Sequence, residues 1–141
     1  MQSITIRLSA GILICIASTF QMGRGQGLAG QHQQIRAALD RNDSSAALAT
    51  LGRLRSSDAK VFALNNYDYL FARLSERSGD KSTAAANYQA VIKRASVLRP
   101  YALWHLSRLA RSTGDLVLER DRLRQLLAAA PGNLLHEAAT M

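Results

Sequence analysis

The sequence predicts an all-α fold, a stack of antiparallel helix pairs, and three observations point to it. Beyond residue 30, apolar residues recur at intervals of three and four, and no segment alternates as a half-buried strand does. Ala and Leu are abundant, strand-favouring residues are sparse, and the only prolines are Pro100 and Pro131. Turn signals break the apolar pattern at matched places, each with an Asp that can cap the next helix: Asn42-Asp43, Gly79-Asp80 and Gly114-Asp115. At 141 residues there is room for one modest domain, and with 48% hydrophobic and 20% charged residues it can form a packed core.

In chain order, residues 1–29 read as a secretory signal peptide. Residues 8–20, "LSAGILICIASTF", are apolar and uncharged, too short for the roughly 20 residues of a membrane span. "QMGRGQGLAG" follows as the cleavage region, with small residues placing the cut near Ala29 and Gly23-Arg24-Gly25 as a second option. The only cysteine, Cys15, falls inside the leader, so the mature chain has none; bulky Ile14 before it speaks against a lipoprotein. Export to a bacterial periplasm is expected, with no transmembrane span in the mature chain. The repeat domain, residues 30–141, then comprises helix pairs at about 31–55, 61–95 and 100–130. Their stripes are Ile35–Ala38–Leu39 with Ala47–Leu51–Leu54, then Phe62–Leu70–Leu74 with Ala84–Tyr88–Val91, then Leu103–Leu106 with Leu123–Leu126. Residues 133–141 read as the start of a further helix, the mark of a truncated product or of the leading piece of a longer protein. Pro100 suits the first turn of a helix, where its missing N–H costs little.

The capping Asp residues Asp43, Asp80 and Asp115 stand 37 and 35 positions apart. That period resembles the 34 residues of tetratricopeptide repeats. Ala84 and Tyr88 match the family's small and aromatic packing positions after Gly79. Leu103, Leu106, Ser107, Leu123 and Pro131 match the corresponding places of the third pair. Asp68 departs from the pattern at a usual large position, and Glu119 at a usual small one. The resemblance implies a short tetratricopeptide-like α-solenoid, or superhelix, in which stacking buries the faces no single pair can bury.

The net charge is +8, carried by 18 basic and 10 acidic residues, and removal of the leader's Arg7 and Arg24 lowers it to +6. The basic residues are spread along the chain without the compact run of a nucleic-acid arm, and no nucleic-acid partner is expected. Only three glutamates exist: Glu76, Glu119 and Glu137. Each is expected on a solvated helix face, not in a carboxylate pair for glycoside hydrolysis. His32, His105 and His136 show no metal-ligand spacing and are expected in surface or packing roles. There is no phosphate loop, nucleophile elbow or mature-chain thiol, so no cofactor and no catalytic residue are assigned, and the chain as it stands reads as non-enzymatic.

Projected at 100° per residue, Trp104, Arg108 and Arg111 lie together opposite the apolar stripe of their helix, with Tyr101 nearby. Tyr69, Arg73 and Glu76 occupy the same places one pair earlier, and His32, Arg36 and Leu39 two pairs earlier. A ring followed four residues later by Arg therefore recurs in all three first helices. The tetratricopeptide resemblance implies that these positions line a ligand-facing groove, where Arg stacks on rings and grips carboxylates. The other reading is that the rings pack on the adjacent pair while the Arg heads reach water.

Residues 65–127, "NNYDYLFARLSERSGDKSTAAANYQAVIKRASVLRPYALWHLSRLARSTGDLVLERDRLRQLL", also resemble the N-terminal superhelical region of bacterial soluble lytic transglycosylases. Those periplasmic enzymes cleave peptidoglycan with a Glu, usually followed by Ser, in a separate lysozyme-like domain. Here the glutamates are followed by Arg, Arg and Ala, so no active-site residue carries over. Two functions follow. One is a non-catalytic periplasmic scaffold for an anionic protein or peptide ligand. The other is the superhelical arm of a lytic transglycosylase in peptidoglycan turnover, inactive without its catalytic domain.

Overall fold

The computed structural model describes residues 27–129, and these are helical nearly throughout, with no strand among them. Seven helices follow in order: α1 (Leu28–Asp40), α2 (Ser44–Ser57), α3 (Ala59–Leu64), α4 (Tyr67–Arg77), α5 (Lys81–Lys93), α6 (Arg99–Ser112) and α7 (Leu116–Ala129). Three close pairs, α1 with α2, α4 with α5 and α6 with α7, are joined by contacts of α5 with α6 and of α2 with α4. The expected leader, residues 1–29, lies outside the described residues except at its end, where α1 already includes Leu28 and Ala29. The helix expected at 133–141 lies wholly outside them.

The turns within the three pairs share one geometry. Asn42, Gly79 and Gly114 take positive φ of 56°, 86° and 77°. The following N–H, of Asp43, Asp80 or Asp115, donates five residues back to Ala38, Ser75 or Ala110 at 2.8, 2.9 and 3.0 Å. This is the Schellman closure, which satisfies carbonyls left over at a helix end. The same Asp then caps the next helix through its Oδ1, accepting from the N–H of Ala46, Thr83 or Leu118 at 2.9, 3.0 and 2.9 Å. Those bonds hold the exposed Asp80 carboxyl below its ordinary pKa.

The sequence reading of one helix from residue 61 into the second pair is corrected. The segment breaks at Asn65-Asn66, where Asn66 adopts φ 55°, and α3 becomes a separate short helix capped by Asp58 through the Val61 N–H at 2.9 Å. Asn tolerates the left-handed region better than other residues with a Cβ, so two consecutive Asn residues are a stop signal hidden inside a helical apolar pattern. The break also explains Asp68. In place of a large apolar residue, this buried carboxylate receives Arg94 Nη2 at 2.7 and 2.8 Å and the Tyr69 N–H at 2.9 Å. Ser96 donates to Asn66 Oδ1 at 2.6 Å, so the α5–α6 connection is tied to the α3–α4 junction by polar bonds. Ala95, at φ 51°, closes the end of α5 with no glycine to ease the turn.

Two apolar clusters meet at α4. The first joins Ile35, Leu51, Leu54, Phe62 and Leu74; the second joins Ala72, Tyr88, Val91, Leu103, Leu106 and Leu126. Leu74 and Ala72 point from one helix into different clusters, which makes α4 the seam of the fold. Each fully buried side chain of this size contributes about 1.5–3 kcal/mol relative to exposure. At the rim of the first cluster the Arg55 guanidinium lies over the Phe71 ring at 4.9 Å and the Phe62 ring at 5.9 Å.

The expectation that every glutamate sits on a solvated face is also corrected. Glu119 is buried, and Glu76 is drawn into the contact between α4, α5 and α6. Glu137 lies outside the described residues. Spacing alone does not register that a carboxylate on an inward position is tolerable when a guanidinium or a ring N–H meets it.

Candidate functional site

α6 is long enough to serve two sites because it touches α5 on one side and α7 on the other. Its inner site is the junction with α4 and α5. The His105 ring, 7% exposed, stacks on Tyr88 with centroids 5.1 Å apart and planes within 7°. Its Nδ1 lies 3.0 Å from Glu76 Oε2, and Arg73 Nη1 lies 2.7 Å from its Nε2 and 2.9 Å from its Nδ1. A neutral ring with the proton on Nδ1 satisfies these neighbours: Nδ1–H donates to Glu76 while Nε2 accepts from Arg73. Burial pushes the His105 pKa down, Glu76 opposes this, and the Arg73 and Arg108 charges add to the lowering. The Tyr88 hydroxyl donates to the same Glu76 oxygen at 2.6 Å, and burial with that bond keeps its proton far above the ordinary tyrosine range. Tyr69 closes the group edge-on, 5.7 Å from Tyr88 and 6.2 Å from His105.

The outer site is a cleft of about 370 Å³ between α6 and α7, lined by Trp104, Ser107, Arg108, Arg111, Ser112, Glu119 and Leu123. Trp104 lies half-buried against the second apolar cluster, so the indole is anchored yet lines open space. Arg111 donates through Nε to Glu119 Oε1 at 2.6 Å, which fixes its guanidinium at the wall while its side chain stays 60% exposed. Arg108 is exposed beside it, one turn from Trp104. Ser107 turns its hydroxyl back onto the Trp104 carbonyl at 2.8 Å and adds no outward donor. An indole face, one held guanidinium and one unconstrained guanidinium, with a single carboxylate among them, form a surface suited to an anionic side chain carried on an apolar stem.

The residues singled out from sequence are therefore not brought together in one place. Trp104, Arg108 and Arg111 share the cleft. Tyr69 and Arg73 face the junction with α6. His32 meets Tyr67 of α4 edge-on at 5.4 Å, and its buried Nε2 has no hydrogen-bond partner. Arg36 is exposed on α1, and Tyr101, 44% exposed, does not line the cleft. A second cleft of about 360 Å³ lies between α1 and α2, lined by Gln34, Ala37, Ala38, Arg41, Ala46, Thr50 and Arg53, none of them a residue the ring-and-Arg pattern selects.

Sequence reasoning passed over Glu119 and Leu123 as cleft residues. A signal for them existed. Counting 35 positions on from Tyr69, Arg73, Glu76, Ala84 and Tyr88 arrives at Trp104, Arg108, Arg111, Glu119 and Leu123. In this register Arg111 takes the place of Glu76 and Glu119 that of Ala84, so the carboxylate stands on the second helix of the later pair and on the first helix of the earlier one. Among the described residues no group of three or more His, Cys, Asp or Glu is placed to hold a metal ion, and no helix is long and apolar enough to cross a membrane. No family model, no curated protein and no solved structure matches the chain.

Proposed function

We propose that this chain is a non-catalytic, tetratricopeptide-like repeat scaffold of the periplasm, and that it holds a protein or peptide partner at the α6–α7 cleft. The observation that carries this reading is the side-by-side placement of Trp104, Arg108 and Arg111 on one open wall, two of them exposed and the third presenting a ring. The shared turn geometry of the three pairs supports the repeat reading, and the apolar leader supports export. Binding follows from simple chemistry: the indole supplies apolar contact, Arg108 a charge-assisted hydrogen bond, and Arg111 a preset donor.

The test is an array of anionic peptides probed with the full chain and with its Trp104→Ala and Arg108→Ala variants. Both variants are expected to keep the helical circular dichroism signal and lose peptide retention. Retention by both at the wild-type level sinks the reading. The resemblance of residues 65–127 to lytic transglycosylase arms favours a second reading, an arm in peptidoglycan turnover. For that reading, purified sacculi are expected to retain the chain at low salt and release it as salt rises, because exposed Arg charges are screened.

A further inference from the structure

The lining of the α6–α7 cleft stands in the register of the α4–α5 junction. Trp104, Arg108, Arg111, Glu119 and Leu123 stand 35 positions beyond Tyr69, Arg73, Glu76, Ala84 and Tyr88. At the earlier site these residues face an incoming helix, α6, which inserts the His105 ring between Glu76, Arg73 and Tyr88. The later lining keeps the ring and the Arg but differs in charge. The junction carries one guanidinium and one carboxylate, Arg73 and Glu76. The cleft carries two guanidiniums, Arg108 and Arg111, against the one carboxylate Glu119, which Arg111 already takes at 2.6 Å. Tyr88, a hydroxyl donor, is replaced by Leu123, and Tyr69 by the larger Trp104.

We infer that the cleft receives a helix, not an extended peptide, and that the helix presents a carboxylate to Arg108 where α6 presents neutral His105 to Arg73. The inference rests on the binding reading above and adds the partner's form and charge to it. At the earlier site the neighbour is a helix, α6, and a helix offers one face, the side chains at i, i+3 and i+4, to a ring and an Arg that stand one turn apart. The unmatched guanidinium sets the sign of the visiting charge. The apolar half of the visitor lies on Trp104 and Leu123, and its carboxylate stands one turn away over Arg108.

Trp104 is the only tryptophan, so all indole emission of the chain comes from the wall of the cleft. Four tryptophan-free probes of about 15 residues decide the question: a stapled helix with one Glu flanked by Leu at i−3 and i+4, the same helix with Gln for Glu, the same helix with Lys for Glu, and an extended, proline-interrupted isomer of the Glu peptide. Titrated into the full chain, the Glu helix is expected to shift Trp104 emission to the blue and saturate. The Gln helix binds about ten-fold more weakly, and the Arg108→Glu variant reverses the preference toward a Lys helix. Equal or tighter binding of the extended isomer overturns the helix inference while leaving the binding reading intact. No response of Trp104 to any probe overturns both. A free chain whose Trp104 emission is already blue and protected from iodide also overturns the inference. Coverage by a second copy is then recognised because dilution abolishes the protection, and coverage by residues 130–141 because it does not.

Discussion

The inner junction and the outer cleft use the same positions of successive helix pairs, yet one is a structural contact and the other an open wall. At the junction, Tyr69, Arg73 and Glu76 meet His105 and Tyr88, and Arg73, Glu76, Tyr88 and His105 are hydrogen-bonded or paired with one another. At the cleft, Arg111 has Glu119, but Arg108 faces open space beside a half-buried indole. The difference teaches that a ring-plus-Arg pattern on a first helix does not by itself define a binding residue. What decides, among the described residues, is whether another helix lies over it. The pattern at His32 obeys the same rule, since its ring is met by Tyr67.

The largest expected contrast between the two places is in packing. Tyr88→Ala empties a fully buried position and is expected to cost about 3–5 kcal/mol, whereas its counterpart Leu123→Ala, at the cleft wall, costs about 1 kcal/mol. Urea unfolding of the two variants checks this; equal costs would mean the cleft is as closed as the junction. Next comes Asp68→Ala, which strands Arg94 and unties the α5–α6 connection from α4, for a loss of about 3 kcal/mol by the same measurement.

The junction is also expected to answer to mild acid. His105 has a folded pKa below its ordinary 6.5, chiefly from burial. Its contribution is therefore fully present above pH 6.5 and is lost as pH falls through the folded value, by at most about 1.4 kcal/mol per pH unit. Melting temperature is expected to fall below pH 6.5, and His105→Gln to remove that part of the decline. A profile unchanged by His105→Gln would place the titration elsewhere. Asp80, whose pKa is lowered by its bonds to Thr83, acts in a separate window, with stability lost as pH falls below its ordinary 3.8.

The smallest contrast should be none at all. Gly79→Ala and Gly114→Ala each place a Cβ at positive φ with open space around it, so backbone strain alone sets the cost, about 1 kcal/mol in both. A clearly unequal pair of melting shifts would show that the turn beside the junction and the turn beside the cleft are not equivalent.

Much of the helix order was legible because periodicity and capping are local. The Asp residues at 43, 80 and 115 announce the starts of α2, α5 and α7, and each accepts the bond its type predicts. The α3–α4 break was passed over, since Phe62, Leu70 and Leu74 keep helical spacing across it and only the Asn65-Asn66 pair carries the signal. The cleft was half legible. Trp104, Arg108 and Arg111 lie on one face of one helix and can be projected, but Glu119 and Leu123 come from the next helix and needed the pairing.

By itself, then, the sequence determined the all-helical fold of the described residues, the places where pairs turn, and the clustering of Trp104, Arg108 and Arg111. These depend on residues within about one helical turn of each other, where φ preference, capping and the 3.6-residue period act. Only the tertiary structure decided which of the ring-and-Arg sets are covered. The same is true of the inward placing of Asp68, Glu76 and Glu119, which depends on partners 26, 29 and 8 residues away, Arg94, His105 and Arg111. Burial of a charge is set by what meets it across helices, and that is a property of packing.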